Sequence, residues 1–219
     1  MNVRFVAARP EGAYVLAFPV PNGAAAADLP GLGAGGAALA RRAVEAARFD
    51  GEAGALAEFF VAEGENARRV LIVGIGTDAA EAGLERAGSA LAARLLTVEE
   101  RLVVDLSALP SANGKAAAHI ALGALLRSWR HDVYRTKLPA KSRPSLKEIV
   151  LVGGGAEAEA AWAPLDALAQ GVGFTRELVS EPANILYPES FVERCLPLAQ
   201  HGITVEVLDE EAMRALGMG

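Results

Sequence analysis

The sequence predicts an α/β fold in which a mixed, mostly parallel sheet is flanked by helices. Short apolar blocks with strand character recur along the chain, and helical patterns lie between the later blocks. Strands that alternate with helices form βα units, in which the strands run parallel and are covered on both faces. With 219 residues, 52% of them hydrophobic and many of those alanine, the chain can bury a substantial core beneath closely packed helices.

The strand predictions rest on blocks that are rich in β-branched residues and bounded by glycine, proline or charge. These blocks are Val3–Ala8, Tyr14–Val20, Val70–Ile75, Leu102–Leu106, Ile149–Val152 and Ile203–Leu208, with Leu56–Ala62 as a further candidate. The connection between the first two blocks is too short for a helical crossover. We therefore expect these two strands to pair antiparallel.

Helical periodicity is clearest over Ala80–Leu96, where leucine and alanine recur on one face. Ala116–Trp129 is apolar nearly all round, which predicts a well-buried helix. A long helical pattern over residues 157–182 must end or be interrupted at its final proline. Ala24–Gly36 has no periodicity and is expected to be a loop, as is the Lys/Pro/Ser-rich connection Leu138–Ser145.

The last part of the sequence predicts a helix, a strand and a second helix. Pro188 suits the first position of a helix, and Gly202 suits its end. Asp209 suits the N-cap of a short final helix. The strand between the two helices is the alternating block that begins at Ile203.

Composition excludes several classes of protein. The formal net charge of −6 argues against a surface built throughout for nucleic acid. No uninterrupted apolar run approaches the roughly 18 residues of a membrane span, so no membrane partner is expected. One cysteine rules out an internal disulfide framework, and the N-terminus lacks the apolar segment of a signal peptide. We therefore expect a cytoplasmic protein.

Two glycine clusters follow predicted strands, as phosphate-binding loops do. Gly74–Ala79 fits the pattern G-x-G-x-x-[GA], in which the backbone and a helix N-terminus hold a pyrophosphate. Gly153–Gly155 forms the second cluster. Acidic residues stand beside both clusters and would repel an anion (Asp78, Glu81, Glu157 and Glu159). Tight turns into helices are therefore favoured, and ligand binding stays open as the alternative.

The stretch Arg127–Lys147 is strongly basic. Its cations are Arg127, Arg130, Arg135, Lys137, Lys141, Arg143 and Lys147. Because Trp129 and Tyr134 lie among them, a nucleic-acid surface is one interpretation. The favoured interpretations are a solvated helix end and loop, or a salt-bridge patch between subunits.

The other reactive residue types form no recognisable active site. His119, His131 and His201 are far apart in sequence and show no metal-ligand spacing, so each is expected to be structural or exposed. Cys195 lies on an apolar helical stripe and is expected to pack as a small hydrophobe. The sequence contains no nucleophile elbow of the G-x-S-x-G type. We therefore predict no catalytic, cofactor-binding or metal-binding residue in this chain.

Two segments resemble the leucyl (cytosol) aminopeptidases. Leu125–Lys137 resembles the stretch L-L-x-x-[YW]-x-F-D-x-Y-[KR]-T-K of that family, with His131 in place of the usual Phe. Arg176–Glu189 resembles the segment R-[DE]-L-V-x-x-P-A-N-x-L-x-P-E. Val70–Thr77 and the closing Val207–Gly219 also fit the family in order and spacing.

The resemblance implies a macro-domain-like amino-terminal α/β domain over residues 1–155 and a linker helix over 156–180. Residues 181–219 would then begin a truncated catalytic domain. The full-length enzymes release N-terminal amino acids from peptides, using two divalent cations (Zn or Mn) that activate a water. The family also implies a homo-oligomer, specifically a hexamer. Its metal-binding and catalytic residues lie in motifs that come after the last residue of this sequence, so none is carried over and the chain alone is expected to be inactive.

The leading interpretation is therefore a non-catalytic portion of a peptidase, serving assembly and substrate access. Its partners would be the missing catalytic domain, other copies of the chain and, through the full enzyme, peptide substrates. Two alternatives remain: a macro-domain-like ligand-binding module, and a DNA-contacting domain that uses Arg127–Lys147. Residues 181–219 lack the sheet that they should join, so their apolar faces need a partner.

Overall fold

The computed structural model describes residues 1–24, 29–77, 79–109 and 113–218. Its strands are β1 (Asn2–Val6), β2 (Val15–Val20), β3 (Leu56–Glu63), β4 (Asn66–Gly74), β5 (Arg101–Asp105) and β6 (Glu148–Val152). Its helices are α1 (Gly33–Ala46), α2 (Glu81–Leu95), α3 (Gly114–Ser128), α4 (Ala158–Ser180), α5 (Pro188–Cys195) and α6 (Glu210–Ala215). Short 3₁₀ turns cover Ala140–Ser142 and Leu196–His201. The chain divides into two compact units, Met1–Gly173 and Phe174–Gly219.

The first unit is built on one six-stranded sheet with the order β1-β6-β5-β2-β4-β3. Every neighbouring pair is parallel except β3 and β4, which form an antiparallel hairpin. The predicted mixed, mostly parallel sheet with flanking helices is therefore confirmed. The candidate strand at Leu56–Ala62 is confirmed as β3.

The predicted antiparallel pairing of the first two strands is wrong. β1 pairs with β6 in parallel, and β2 lies between β4 and β5, also in parallel. The link over residues 7–14 does not need a helix to make this crossover. Eight extended residues reach about 26–29 Å, which exceeds the length of a strand of five or six residues. The link can therefore return from the carboxyl edge of the sheet to its amino edge.

Separate apolar cores cover the two faces of the sheet. On one face, α2 and α3 pack against alternate residues of β2, β4, β5 and β6. Trp162 of α4 joins this core, with its ring 6.2 Å from that of Phe5 in β1. On the other face, α1 covers a second core centred on Phe18 and Ile72. The two cores bury the sheet on both sides, as parallel strands require.

The prediction of a loop over Ala24–Gly36 is wrong from Gly33 onward, where α1 begins, and residues 37–46, for which no element is predicted, continue this helix. The first residues of α1 are rich in glycine, which is a poor helix former. Tertiary packing accounts for the helix instead: Ala40 is fully buried on the sheet, and a Cβ on Gly36 would lie 3.5 Å from the Val61 side chain of β3. Residues 25–28 of the expected loop lie outside the described residues.

Helices α2 and α3 cross at very short range because each contributes a glycine to the crossing. A Cβ on Gly88 of α2 would overlap the carbonyl oxygen of Ile120 in α3. A Cβ on Gly123 of α3 would overlap the carbonyl oxygen of Glu85 in α2. The two helix backbones are therefore in direct contact, with no side chain between them.

The second unit contains the end of α4, followed by α5 and α6. Pro188 occupies the first turn of α5, and Gly202 ends the following 3₁₀ turn with a φ of 79°. The Asp209 side chain accepts a hydrogen bond of 2.8 Å from the N–H of Ala212 and so caps α6. The predictions for Pro188 and Asp209 are therefore confirmed. The helix that begins at Pro188 ends at Cys195, so Gly202 ends the 3₁₀ turn rather than the predicted helix.

The predicted strand Ile203–Leu208 is not formed. Its residues have no regular secondary structure. A strand is held by the hydrogen-bond ladder to a neighbour, and the described residues of this unit contain no other strand. Alternating sequence alone therefore does not make this segment a strand. In the described part of the chain, none of the helices combines the length and apolar character needed to cross a membrane.

Candidate functional site

The carboxyl ends of the parallel strands meet at one edge of the sheet, which is where open α/β sheets bind ligands. The loop Gly74–Gly76 leaves β4 at this edge. Its three N–H groups already donate to backbone carbonyl oxygens at 2.9 or 3.0 Å, the acceptors being Ala55 for Gly74, Val20 for Ile75 and Gly51 for Gly76. Donors that are bonded to the chain itself do not offer a phosphate cradle.

The glycines of this loop are required by close backbone packing. A Cβ on Gly74 would overlap the carbonyl oxygen of Glu52, which lies in the segment between α1 and β3. Gly76 has a φ of +76°, in the left-handed region that favours glycine. This geometry agrees with a tight strand-to-helix turn. Asp78, the acidic residue of the motif, lies outside the described residues.

The second glycine cluster, Gly153–Gly155, follows β6 at the same edge and also serves packing. A Cβ on Gly154 would lie only 2.9 Å from the Cβ of Ala117 in α3 and 3.2 Å from that of Ala158 in α4. Gly153 and Gly155 both have positive φ angles. The cluster therefore turns the chain sharply and lets two helices approach each other.

An ion pair that the sequence analysis did not find occupies the middle of this edge. Asp105, the last residue of β5, is only 3% exposed. One of its carboxylate oxygens lies 2.5 Å from Nε of Arg9. The other accepts hydrogen bonds from the N–H and the hydroxyl of Ser107, at 2.8 and 2.5 Å. Both oxygens are therefore satisfied, as a buried carboxylate requires.

Arg9 connects this edge to a third segment of the chain. Its guanidinium donates to the carbonyl oxygen of Pro30 at 2.5 Å and lies 5.2 Å from the ring centroid of Phe18. The ion pair thus joins the link after β1, the end of β5 and the segment before α1. Such an arrangement holds three separate segments of the chain together at this edge.

His119 of α3 lies between two glutamates of α2. Its Nδ1 is 2.9 Å from the carboxylate of Glu85, and its Nε2 is 3.7 Å from that of Glu81. Glu81 also pairs with Lys115. The hydrogen bond from Lys115, its charge and the charge of His119 together lower the pKa of Glu81. His119 therefore has a structural position between the two helices.

No metal centre is formed by the residues that the structure describes, because no three His, Cys, Asp or Glu side chains among them lie close enough to hold an ion. The two divalent cations that the resemblance implies for the full-length enzymes therefore have no ligand set among these described residues. His131 lies in an aromatic cluster, 6.2 Å from the ring of Trp129 and 5.6 Å from that of Tyr134. His201 ends a 3₁₀ turn, and Cys195 is half-buried with a free thiol.

The basic stretch does not form one uniform cationic surface. Arg130 and Arg135 both pair with Asp132. Lys147 pairs with Glu100, and Arg143 donates to the carbonyl oxygen of Leu138. The remaining cations of the stretch, Arg127, Lys137 and Lys141, are exposed. Four of the seven cations thus form ion pairs with carboxylates or hydrogen bonds to a carbonyl oxygen. This arrangement agrees better with a folded loop than with a phosphate-binding surface.

The opposite, amino edge of the sheet carries a cleft of about 850 Å³, which is not predictable from the sequence pattern. Arginines line it, and each is paired: Arg69 with Glu58 and Glu99, Arg68 with Glu63, and Arg101 with Glu148. Arg68 also lies 3.8 Å over the ring of Tyr14. The glutamates of these ion pairs balance the positive charge of the arginines that line the cleft.

Glu58 is shared by two of these arginines. Arg69 and Arg94 both donate to its carboxylate, at 2.8 Å and at 2.7 and 3.0 Å. Burial acts to raise the pKa of Glu58, but the hydrogen bonds and charges of the two arginines outweigh it and hold the pKa below its usual value. The network joins β3, β4 and α2 on one face of the sheet.

Comparison with known proteins identifies the domain. Residues 32–138 match the family described as the cytosol aminopeptidase family, N-terminal domain. A probable cytosol aminopeptidase of Gluconobacter oxydans is 44% identical over 182 residues, covering 81% of this chain and 36% of the relative. That of Caulobacter vibrioides is 40% identical over 186 residues, covering 84% and 37%. The chain thus spans little more than a third of the length of these curated relatives.

Solved structures show the same fold. A mutant of tomato leucine aminopeptidase superposes with a TM-score of 0.80 at 22% identity, covering 100% of this chain and 46% of its own. The bottromycin maturation enzyme BotP, solved in complex with Mn, gives a TM-score of 0.68 at 25% identity, covering 94% and 40%. Together with the sequence matches, these findings show that the chain matches the amino-terminal part of cytosol aminopeptidases.

Proposed function

We propose that this chain is the amino-terminal, non-catalytic portion of a di-metal leucyl aminopeptidase, whose full-length form releases N-terminal amino acids from peptides. One observation carries the proposal: the chain matches the amino-terminal domain of the family and spans only 36–38% of its curated relatives. In this proposal, the two divalent cations, zinc or manganese, and the residues that bind them belong to the catalytic part of the enzyme. The chain by itself is inactive.

The proposed division of the chain follows the family architecture. Residues 1–155 are the amino-terminal domain, 156–180 the linker helix and 181–219 the beginning of the catalytic domain. The single helix α4, Ala158–Ser180, supports the assignment of a linker. Large apolar side chains that are exposed in the second unit support a missing partner there, because such patches mark interaction surfaces. They include Phe191, Leu196, Ile203, Val207 and Leu216.

Assembly and substrate access are the roles that we assign to the first unit, in a cytoplasmic homo-oligomer such as a hexamer. The ion pairs of this unit support a scaffold. Asp105, Glu58 and His119 each have partners within the unit and serve to join its own segments. A rigid domain of this kind can position a catalytic domain or restrict the entry of peptides.

Turnover by the purified chain tests the proposal. The chain is incubated with Mn²⁺ or Zn²⁺ and a chromogenic leucine anilide, with the full-length Gluconobacter relative as the positive control. We expect the chain to give no release above a blank that contains metal alone. A kcat of roughly 1 s⁻¹ or more, co-eluting with the chain in gel filtration, would overturn the assignment as a non-catalytic portion.

A further inference from the structure

Strand β3 lies at the edge of the sheet and has one open side. It pairs with β4 in an unbroken register from Leu56 opposite Val73 to Glu63 opposite Asn66. In an antiparallel ladder, residues alternate between those that bond to the neighbour and those whose N–H and C=O point away from it. Because Ala55 accepts a hydrogen bond from the N–H of Gly74, the outward-pointing groups belong to the even-numbered residues of β3.

These outward-pointing residues are Leu56, Glu58, Phe60 and Ala62. Among the described residues, no backbone hydrogen bond from another segment reaches any of the four. Natural edge strands are usually protected by proline, charged side chains, a bulge or a very short length. β3 has eight residues, no proline and no bulge, and its two charged residues, Glu58 and Glu63, are paired with arginines of the same chain. Near its centre Phe60 is 56% exposed.

The geometry points to β3 as a self-association surface, on which a second copy of this chain adds its own β3 antiparallel across a two-fold axis. Leu56 of one copy then lies opposite Ala62 of the second, and Glu58 lies opposite Phe60 of the second. All four outward-pointing residues of each copy are used in this register, which gives about eight backbone hydrogen bonds between the copies. The two sheets become one continuous sheet.

Charge disfavours one neighbouring register, and the length of β3 disfavours the other. A shift by two residues in one direction places Glu58 opposite Glu58 of the second copy, and like charges in that position are destabilising. A shift in the other direction places Leu56 opposite Gly64, which lies beyond the end of β3. In the favoured register, each Glu58 remains bound to Arg69 and Arg94 of its own chain. No unpaired charge is therefore placed at the contact.

The inference rests on the proposed assembly role in one respect, because both require that copies of the chain bind each other. The choice of β3 as the surface rests on the geometry of that strand alone. Sedimentation equilibrium of the full chain from micromolar to millimolar concentration provides the test. We expect a monomer–dimer equilibrium whose dissociation constant rises about tenfold or more in each of two variants. Phe60→Lys places a charge at the contact. Ala62→Pro removes an outward-pointing N–H and leaves the ladder to β4 intact.

Leu168→Lys is the matched control, because Leu168 is exposed to a similar degree, 51%, but lies on α4. It should leave the dissociation constant unchanged. Amide hydrogen exchange at low and high protein concentration gives a second readout. The N–H groups of the four outward-pointing residues should exchange more slowly when the chain is concentrated, while those of Phe59 and Val61 stay protected at both concentrations.

Three results would overturn the inference. The first is a chain that remains monomeric up to millimolar concentration. The second is a dimer whose dissociation constant is the same in Phe60→Lys and Ala62→Pro as in the parent. The third is a dimer in which the outward-pointing amides exchange as fast as in the monomer. None of these results bears on the proposed peptidase role, which turnover tests separately.

Discussion

Replacing Gly88 by alanine should destabilise the first unit, because α2 and α3 touch through their backbones at this point. The added Cβ would overlap the carbonyl oxygen of Ile120 and lie 3.0 Å from the backbone nitrogen of Ala124. Both atoms belong to a helix, so neither can move as the end of a side chain can. Overpacking of this kind costs about 3 kcal/mol, and the better helix propensity of alanine returns about 1 kcal/mol.

The net loss is therefore about 2 kcal/mol, which for a chain of this length lowers Tm by about 4–8 °C. Gly35→Ala is the matched control. Gly35 lies in α1, is exposed and has no atom within 4 Å of the position of its Cβ. This variant should raise Tm by about 2–4 °C through helix propensity alone.

Tryptophan fluorescence during thermal and urea unfolding measures both effects. Trp129 and Trp162, the two tryptophans of the chain, both lie in the first unit and so report on its unfolding. The reasoning about the crossing would be refuted by a Gly88→Ala variant that unfolds at or above the temperature of the parent. Equal shifts in Gly88→Ala and Gly35→Ala would refute it as well.

Two further predictions concern ion pairs. Glu58→Gln should lower the free energy of unfolding at neutral pH. The pKa of Glu58 is lower in the folded state than its ordinary value of 4.5, so the ionised carboxylate stabilises the fold above that pH. This stabilisation is lost as the pH falls through the lowered pKa. Urea titrations between pH 3 and 7 should therefore show variant and parent converging at the acid end, and a constant difference would contradict the sign. Asp105→Ala should cost about 3–5 kcal/mol because it leaves Arg9 without its partner in a half-buried site. Asp105→Ala combined with Arg9→Met should recover part of that loss in urea unfolding, whereas a double variant no more stable than the single one would show that the pair is not coupled.

The strands are predictable because each is a continuous run of residues rich in β-branched side chains. Helices α2 and α3 are predictable because their apolar residues recur at helical spacing within one short segment. What the sequence could not supply was which strands become neighbours. β1 pairs with β6, and apolar residues of both strands pack into the same core. Neither run of residues shows this by itself. Helix α1 was missed for a related reason: its glycines disfavour a helix, and only the sheet beneath Ala40 makes it form.

The candidate site shows the same limit. The turns at Gly74 and Gly153 are predictable from their position after strands, and the structure adds that Gly74, Ile75 and Gly76 donate their N–H groups to carbonyl oxygens of the chain itself. The ion pair between Arg9 and Asp105 was not found, because its members are 96 residues apart in sequence. A lone aspartate at the end of an apolar run was the one available signal. It identifies a polar group at the sheet edge but not the cation that neutralises it.

The pairing of β1 with β6 sets an order of events during synthesis. Asn2 lies opposite Glu148, 146 residues later, so β1 waits longer for its neighbour than any other strand of this sheet. At roughly 5–20 residues per second, that wait lasts about 7–30 s. During this time the apolar residues Val3 and Phe5 have no sheet to join. Strand β1 thus stays unpaired while more than a hundred further residues are made, and transiently exposed apolar surface of this kind is what chaperones protect.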